Sequence, residues 1–144
     1  VTREPAASRA KSLRQLKQAV VRDLEWLLNT RYVRDEVPPQ LQEVNRSLIT
    51  YGLPDFSHMS LVNDNDRERL RRTLELAIRT FEPRMENVIV TFEIDADEPE
   101  KPRLVERALH FRINARLRVE PAPEPVMFDT VLQLNSGEYK VQGE

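Results

Sequence analysis

Between Phe81 and Arg84 the hydrophobic period of this chain changes. Before it, Leu70, Leu74, Ala77, Ile78 and Phe81 recur every three or four residues; after it, Val88, Val90, Phe92 and Ile94 alternate with polar or exposed positions. Pro83 stands at the change. It carries no backbone donor, and it pushes Glu82 out of the helical region. A helix therefore ends and a sheet begins within four residues, leaving a carboxylate and a guanidinium close together. Helices before this point and strands after it predict an α+β fold, with N-terminal helices packed on one face of a small antiparallel sheet with an open edge.

The helical half divides into three stripes. Residues 1–11 carry Arg3, Arg9 and Lys11 without an apolar period and read as a mobile basic arm; residues 12–144 read as one α+β domain. From Ser12, a suitable cap, the residues Leu13, Leu16, Val20, Leu24, Leu27 and Leu28 form a helical stripe to about Thr30, a core face beside which Trp26 could meet a partner. Leu41, Val44, Leu48 and Tyr51 predict a second helix, stopped by Gly52 and Pro54, with a turn at Leu53-Pro54-Asp55-Phe56 in which Asp55 caps or turns the chain. Ahead of the third stripe, Asn65 and Glu68 have capping-box spacing. A calcium loop at Asn63 to Asp66 lacks its turn glycine and terminal glutamate. Arginines on the other faces of this helix can pair with Glu68 and Glu75, which predicts a solvated surface.

In the other half, Asn87 to Asp95 reads as a first strand. Leu109 to Val119 reads as the clearest one, with His110, Arg112, Asn114, Arg116 and Arg118 making a basic outer face. Val126 to Leu134 gives a third, and after the Ser136-Gly137 turn Glu138 to Gln142 gives a short fourth, a candidate for pairing with another chain.

The inventory for chemistry is thin. No cysteine is present, so disulfides, thiol nucleophiles and thiolate metal sites are excluded, and three scattered glycines make no phosphate loop. The net charge of −2 argues against a uniform nucleic-acid surface. No apolar run is long enough to cross a membrane, so a soluble cytoplasmic protein is expected. His58 and His110 are not at ligand spacing. Glu82 could be imagined as a general acid with Asp55, Glu86 or Glu93 opposite, but Arg84 two residues away favours the charged carboxylate, the wrong form for donating a proton.

Four stretches taken in order resemble one family: Asp23-Leu24-Glu25-Trp26-Leu27-Leu28-Asn29-Thr30-Arg31, Ser47-Leu48-Ile49-Thr50-Tyr51-Gly52-Leu53-Pro54-Asp55, Phe81-Glu82-Pro83-Arg84, and the strand around Phe111. From about Ser12 onward the chain is similar to the TssE family of type VI secretion baseplate wedge proteins. That family is shared with a contractile-tail phage wedge protein and is sometimes labelled lysozyme-like. The resemblance implies a non-enzymatic, cofactor-free structural component that links the wedge core to the contractile sheath and initiates sheath polymerisation. It implies that Glu82, Pro83 and Arg84 contact the wedge core of TssF and TssG, with TssK in the same assembly. The sheath proteins TssB and TssC would add strands to the sheet edge. It further implies no nucleic acid and no membrane insertion, in a cytoplasmic baseplate docked at the inner membrane. The competing expectation is a peptidoglycan-degrading hydrolase using Glu82, and a weaker one is anionic-surface binding by the basic arm.

Overall fold

A computed structural model describes residues 6–32, 51–54, 56, 60–61, 63–97, 102, 104–105 and 107–143. The predicted second helix up to Thr50, Asp55 and His58 lie outside them, and Tyr51, its last expected stripe residue, is described but not helical. The described elements are α1 (Ala6–Asn29), α2 (Asp64–Phe81), β1 (Met85–Phe92), β2 (Leu104–Val105), β3 (Ala108–Leu117), β4 (Glu124–Gln133) and β5 (Tyr139–Gln142). The order within the sheet is β1-β3-β4-β5, all antiparallel, with β2 joining β3 beyond the end of β1. The architecture is α+β: α1 lies against β5 and α2 against β1, so both helices cover one face of an open sheet.

The core follows from the two periods. α1 buries Val20, Leu24, Leu27 and Leu28, and α2 buries Leu70, Leu74, Ala77 and Ile78. From the sheet come Val88, Val90, Phe111, Ile113, Leu117, Val126 and Phe128. Each large apolar side chain so placed contributes about 1.5–3 kcal/mol of transfer free energy.

The structure differs from expectation at four points. α1 begins at Ala6, so Ala6 to Lys11, read as part of the arm, are helical; the alanines and basic residues here are strong helix formers. The cap of α2 is Asn63 rather than Asn65: the Asn63 side chain accepts from Asn65 N at 2.9 Å and Asp66 N at 3.3 Å. β1 begins at Met85, two residues earlier than its alternation suggested, because a bulge lies between Glu86 and Ile89 and Asn87 takes a positive φ of 54°. The extra residue turns both Met85 and Val88 into the core, which strict alternation forbids. Finally, β2 is a fifth strand, returning to β3 through a tight turn at Arg107, whose φ is 62°.

Gly52 holds the remaining described segment to α1. Its φ is +108°, and a Cβ there would stand 2.4 Å from the Thr30 carbonyl oxygen. That close approach lets Leu53 N donate to Thr30 O at 2.8 Å and Tyr32 N to Leu53 O at 3.1 Å.

Candidate functional site

The junction is built by three elements. α2 ends at Phe81, and Glu82 closes it by donating its N–H to Ile78 O at 2.8 Å. Pro83 then turns the chain and stands exposed, and Arg84 leads into β1, accepting from Arg118 N at 2.9 Å through its carbonyl. Across from them, α1 supplies Asp23.

Glu82 faces inward. It is 3% exposed, and both carboxylate oxygens are engaged by Arg84: Nε donates to Oε1 at 2.7 Å and Nη2 to Oε2 at 2.6 Å. The Arg84 backbone N–H adds a third bond to Oε1 at 3.1 Å. Arg84 Nη2 also donates to Asp23 Oδ2 at 2.5 Å, so one guanidinium ties the end of α2 to the middle of α1. The hydrogen bond from Arg84, set against partial burial, holds the Asp23 carboxyl below the usual carboxylate range, and the two carboxylates push the Arg84 guanidinium upward. Tyr51 sits nearby with its ring 5.1 Å from Phe81, edge to face, its hydroxyl pushed up by burial and then by the charges of Asp23 and Glu82.

Of the three predicted contact residues, then, Pro83 and the outer side of Arg84 are presented to solvent, while Glu82 is spent on aiming Arg84. This geometry is poor for hydrolysis. A proton donor needs a free oxygen, and both oxygens of Glu82 are held by a cation. Glu86 instead approaches Arg118, at 3.6 Å. His110 lies on the outer sheet face. Among the described residues no group of three or more His, Asp or Glu side chains could hold a metal ion, and no helix is long and apolar enough to cross a membrane.

The two outer edges of the sheet form a second feature that periodicity did not reveal. At β5, the Asn29 side chain of α1 behaves as a peptide group: its Nδ2 donates to Tyr139 O at 2.9 Å and its Oδ1 accepts from Tyr139 N at 2.7 Å. Two residues on, Val141 N donates to Glu25 Oε2 at 3.5 Å. Arg31 secures the preceding turn through Gly137 O at 2.9 Å and stacks over the Tyr139 ring at 5.4 Å. At β1 the same device recurs: Val90 N donates to Glu75 Oε1 at 2.9 Å, and Arg79 Nη2 donates to Val88 O at 2.9 Å. Glu75, expected on a solvated face, is buried. The one signal for it was its place between Leu74 and Ala77 on the buried side of α2.

The described residues form an α+β frame that ties Glu82, Asp23 and Arg84 together and presents a proline and one side of an arginine at a helix–sheet junction. Residues 14–122 match the family model of baseplate wedge protein gp25, and the chain belongs to that family. Its role is that of a structural baseplate component, assembling with other baseplate components. Searches of curated proteins and of solved structures give no match.

Proposed function

We propose that this chain is a TssE-type wedge component of a type VI secretion baseplate, joining the wedge core to the contractile sheath and starting sheath polymerisation. Membership of the baseplate wedge family supports the reading, and the observation that carries it is the fixed display of Pro83 and Arg84 by Glu82 and Asp23. In this reading TssF and TssG pack on Pro83 and the outer side of Arg84, with TssK in the same assembly. Glu82 acts as the positioning residue that pre-orients the guanidinium before partners arrive, so little side-chain entropy is lost on docking. TssB and TssC add a strand at the sheet edge, taking over at Tyr139 the bonds now made by the Asn29 amide. The baseplate containing it lies in the cytoplasm against the inner membrane.

The test must separate docking from folding, because removing Arg84 alone strands a buried carboxylate. Glu82→Leu combined with Arg84→Met replaces the pair by apolar residues of similar volume and is expected to keep the fold. Pro83→Glu, at an exposed position, leaves the ion pair in place. Both variants are expected to melt near the wild-type temperature and to lose co-purification with TssF and TssG. Wild-type co-purification of folded Pro83→Glu and of the folded double variant would overturn the assignment.

A further inference from the structure

We propose that the outward side of α1 docks an acidic segment of a neighbouring protein in the assembly. α1 falls into two halves. The second buries Val20, Leu24, Leu27 and Leu28, whereas Ala6 to Ser12 are exposed at every position, so the first two turns stand in solvent on all sides. Opposite the buried stripe, Lys11, Arg14, Gln18, Arg22 and Trp26 follow one another at steps of three or four and form one exposed row. The charge here is one-sided. From Ala6 to Arg22 the helix carries Arg9, Lys11, Arg14, Lys17 and Arg22 and no carboxylate, in a chain whose net charge is −2. The carboxylates that follow on α1 are committed elsewhere, Asp23 to Arg84 and Glu25 to the Val141 N–H. The sheet sends Glu124 to Lys17 at 3.5 Å, and the loop before β4 adds Glu120. Arg9, Lys11 and Arg14 enter no ion pair among the described residues. The fold does not use these three charges, and a partner's carboxylates would complement them.

Three observations choose a protein as that partner. Trp26, 71% exposed, follows Arg22 by one turn, and tryptophan and arginine are enriched among the residues that anchor protein contacts. Beside it lies a groove of about 640 Å³ along the flank of α1, with Val21 and Trp26 as its apolar wall and Gln18, Arg22, Glu25 and Asn29 as its polar one. A bilayer surface is too flat to enter it, and Glu25 would stand against the phosphates of a nucleic acid. Finally, the chain belongs to a family of baseplate components, which work among other proteins. Spacing defines the occupant. Lys11 and Arg22 are eleven residues apart, about 16 Å along the helix, and Trp26 lies about 6 Å further on. The docked segment carries carboxylates spread over about 16 Å and, a helical turn beyond them, an apolar side chain that enters the groove beside Trp26.

The experiment places a photoreactive amino acid at position 18 of the full chain, in cells that also make the other baseplate components, and identifies the attached peptide by mass spectrometry. The expected product is one segment of another protein, with at least two carboxylates and a neighbouring apolar residue. Lys11→Glu with Arg14→Glu, both at exposed positions, is expected to keep the melting temperature and to lower the yield about tenfold, since like charges then meet across the contact. Replacing the two partner carboxylates by lysine is expected to restore it. Trp26→Ser is expected to lower the yield as well. Arg116→Glu with Lys140→Glu makes the same change of net charge at exposed positions on the sheet and is expected to leave the yield near that of the wild type. No product overturns the proposal; so does attachment to lipid, to nucleic acid, to a second copy of this chain, or to a segment without carboxylates. A yield indifferent to reversal at Lys11 and Arg14, or equally sensitive to reversal on the sheet, also overturns it. None of these variants replaces Asp23, Glu82, Pro83 or Arg84, so the proposal stands or falls separately from docking at the junction.

Discussion

The Arg84 guanidinium answers two carboxylates at once, and the three groups differ in burial. Removing each should therefore cost a different amount. Arg84→Ala leaves Glu82 buried and unpaired, a loss of about 3–5 kcal/mol, whereas Asp23→Asn, at a half-exposed carboxylate, should cost about 1 kcal/mol. Urea denaturation of the two variants checks the order. Asp23, held low by Arg84, contributes stability that is present above the ordinary carboxylate range and lost as acid carries the pH down through its lowered value. Tyr139 acts at the other end of the scale. It is 1% exposed, and burial pushes its phenol up to about 12. Below pH 10 it is neutral whether the chain is folded or not. Between pH 10 and about 12 the unfolded chain ionises it and the folded chain resists, so stability falls by about 2–3 kcal/mol as pH rises. Tyr139→Phe should remove that part of the alkaline loss, read as a shallower fall in denaturation midpoint than in the wild type. The proximity of Glu82 and Arg84 was legible in the sequence, because two residues around a proline cannot lie far apart. The inward turn of Glu82 was not, because the guanidinium that holds it is also held by Asp23, 61 residues from Arg84 and on another element.

At the scale of elements, the periods placed α2, β3 and β4 well because each has one wet and one dry side over at least ten residues. Where a single residue breaks the period, pattern reading lost its footing. The bulge at Asn87 hid the start of β1, and a two-residue strand such as β2 is too short to alternate. Gly52 was legible as a left-handed residue, but not as a contact, since the neighbour that requires it, Thr30, comes from α1. Gly52→Ala brings both a strained φ and a clash with the Thr30 carbonyl. It should cost about 2–4 kcal/mol and lower the melting temperature by roughly 10 °C, measurable by calorimetry.

Among the described residues, both helices use side chains to occupy the backbone of the strand they flank, α1 at β5 and α2 at β1. An open sheet is thereby kept from pairing with its own copies. Asn29→Ala should free the Tyr139 N–H. Its amide exchange is expected to quicken about tenfold or more, with concentration-dependent self-association of the purified chain, and unchanged exchange at Tyr139 would show that the Asn29 bonds do not guard the edge.

Trp26 has a consequence of another kind. It is the one tryptophan of the chain, and on α1 it stands 71% exposed, one helical turn before Thr30, whose hydroxyl donates to its carbonyl at 2.7 Å. Folding hardly changes the surroundings of its indole, whereas a protein laid over that stretch of α1 would dry them. The chain thus carries its own fluorescent gauge: emission that stays red through denaturation and shifts to the blue only when this side of α1 is covered.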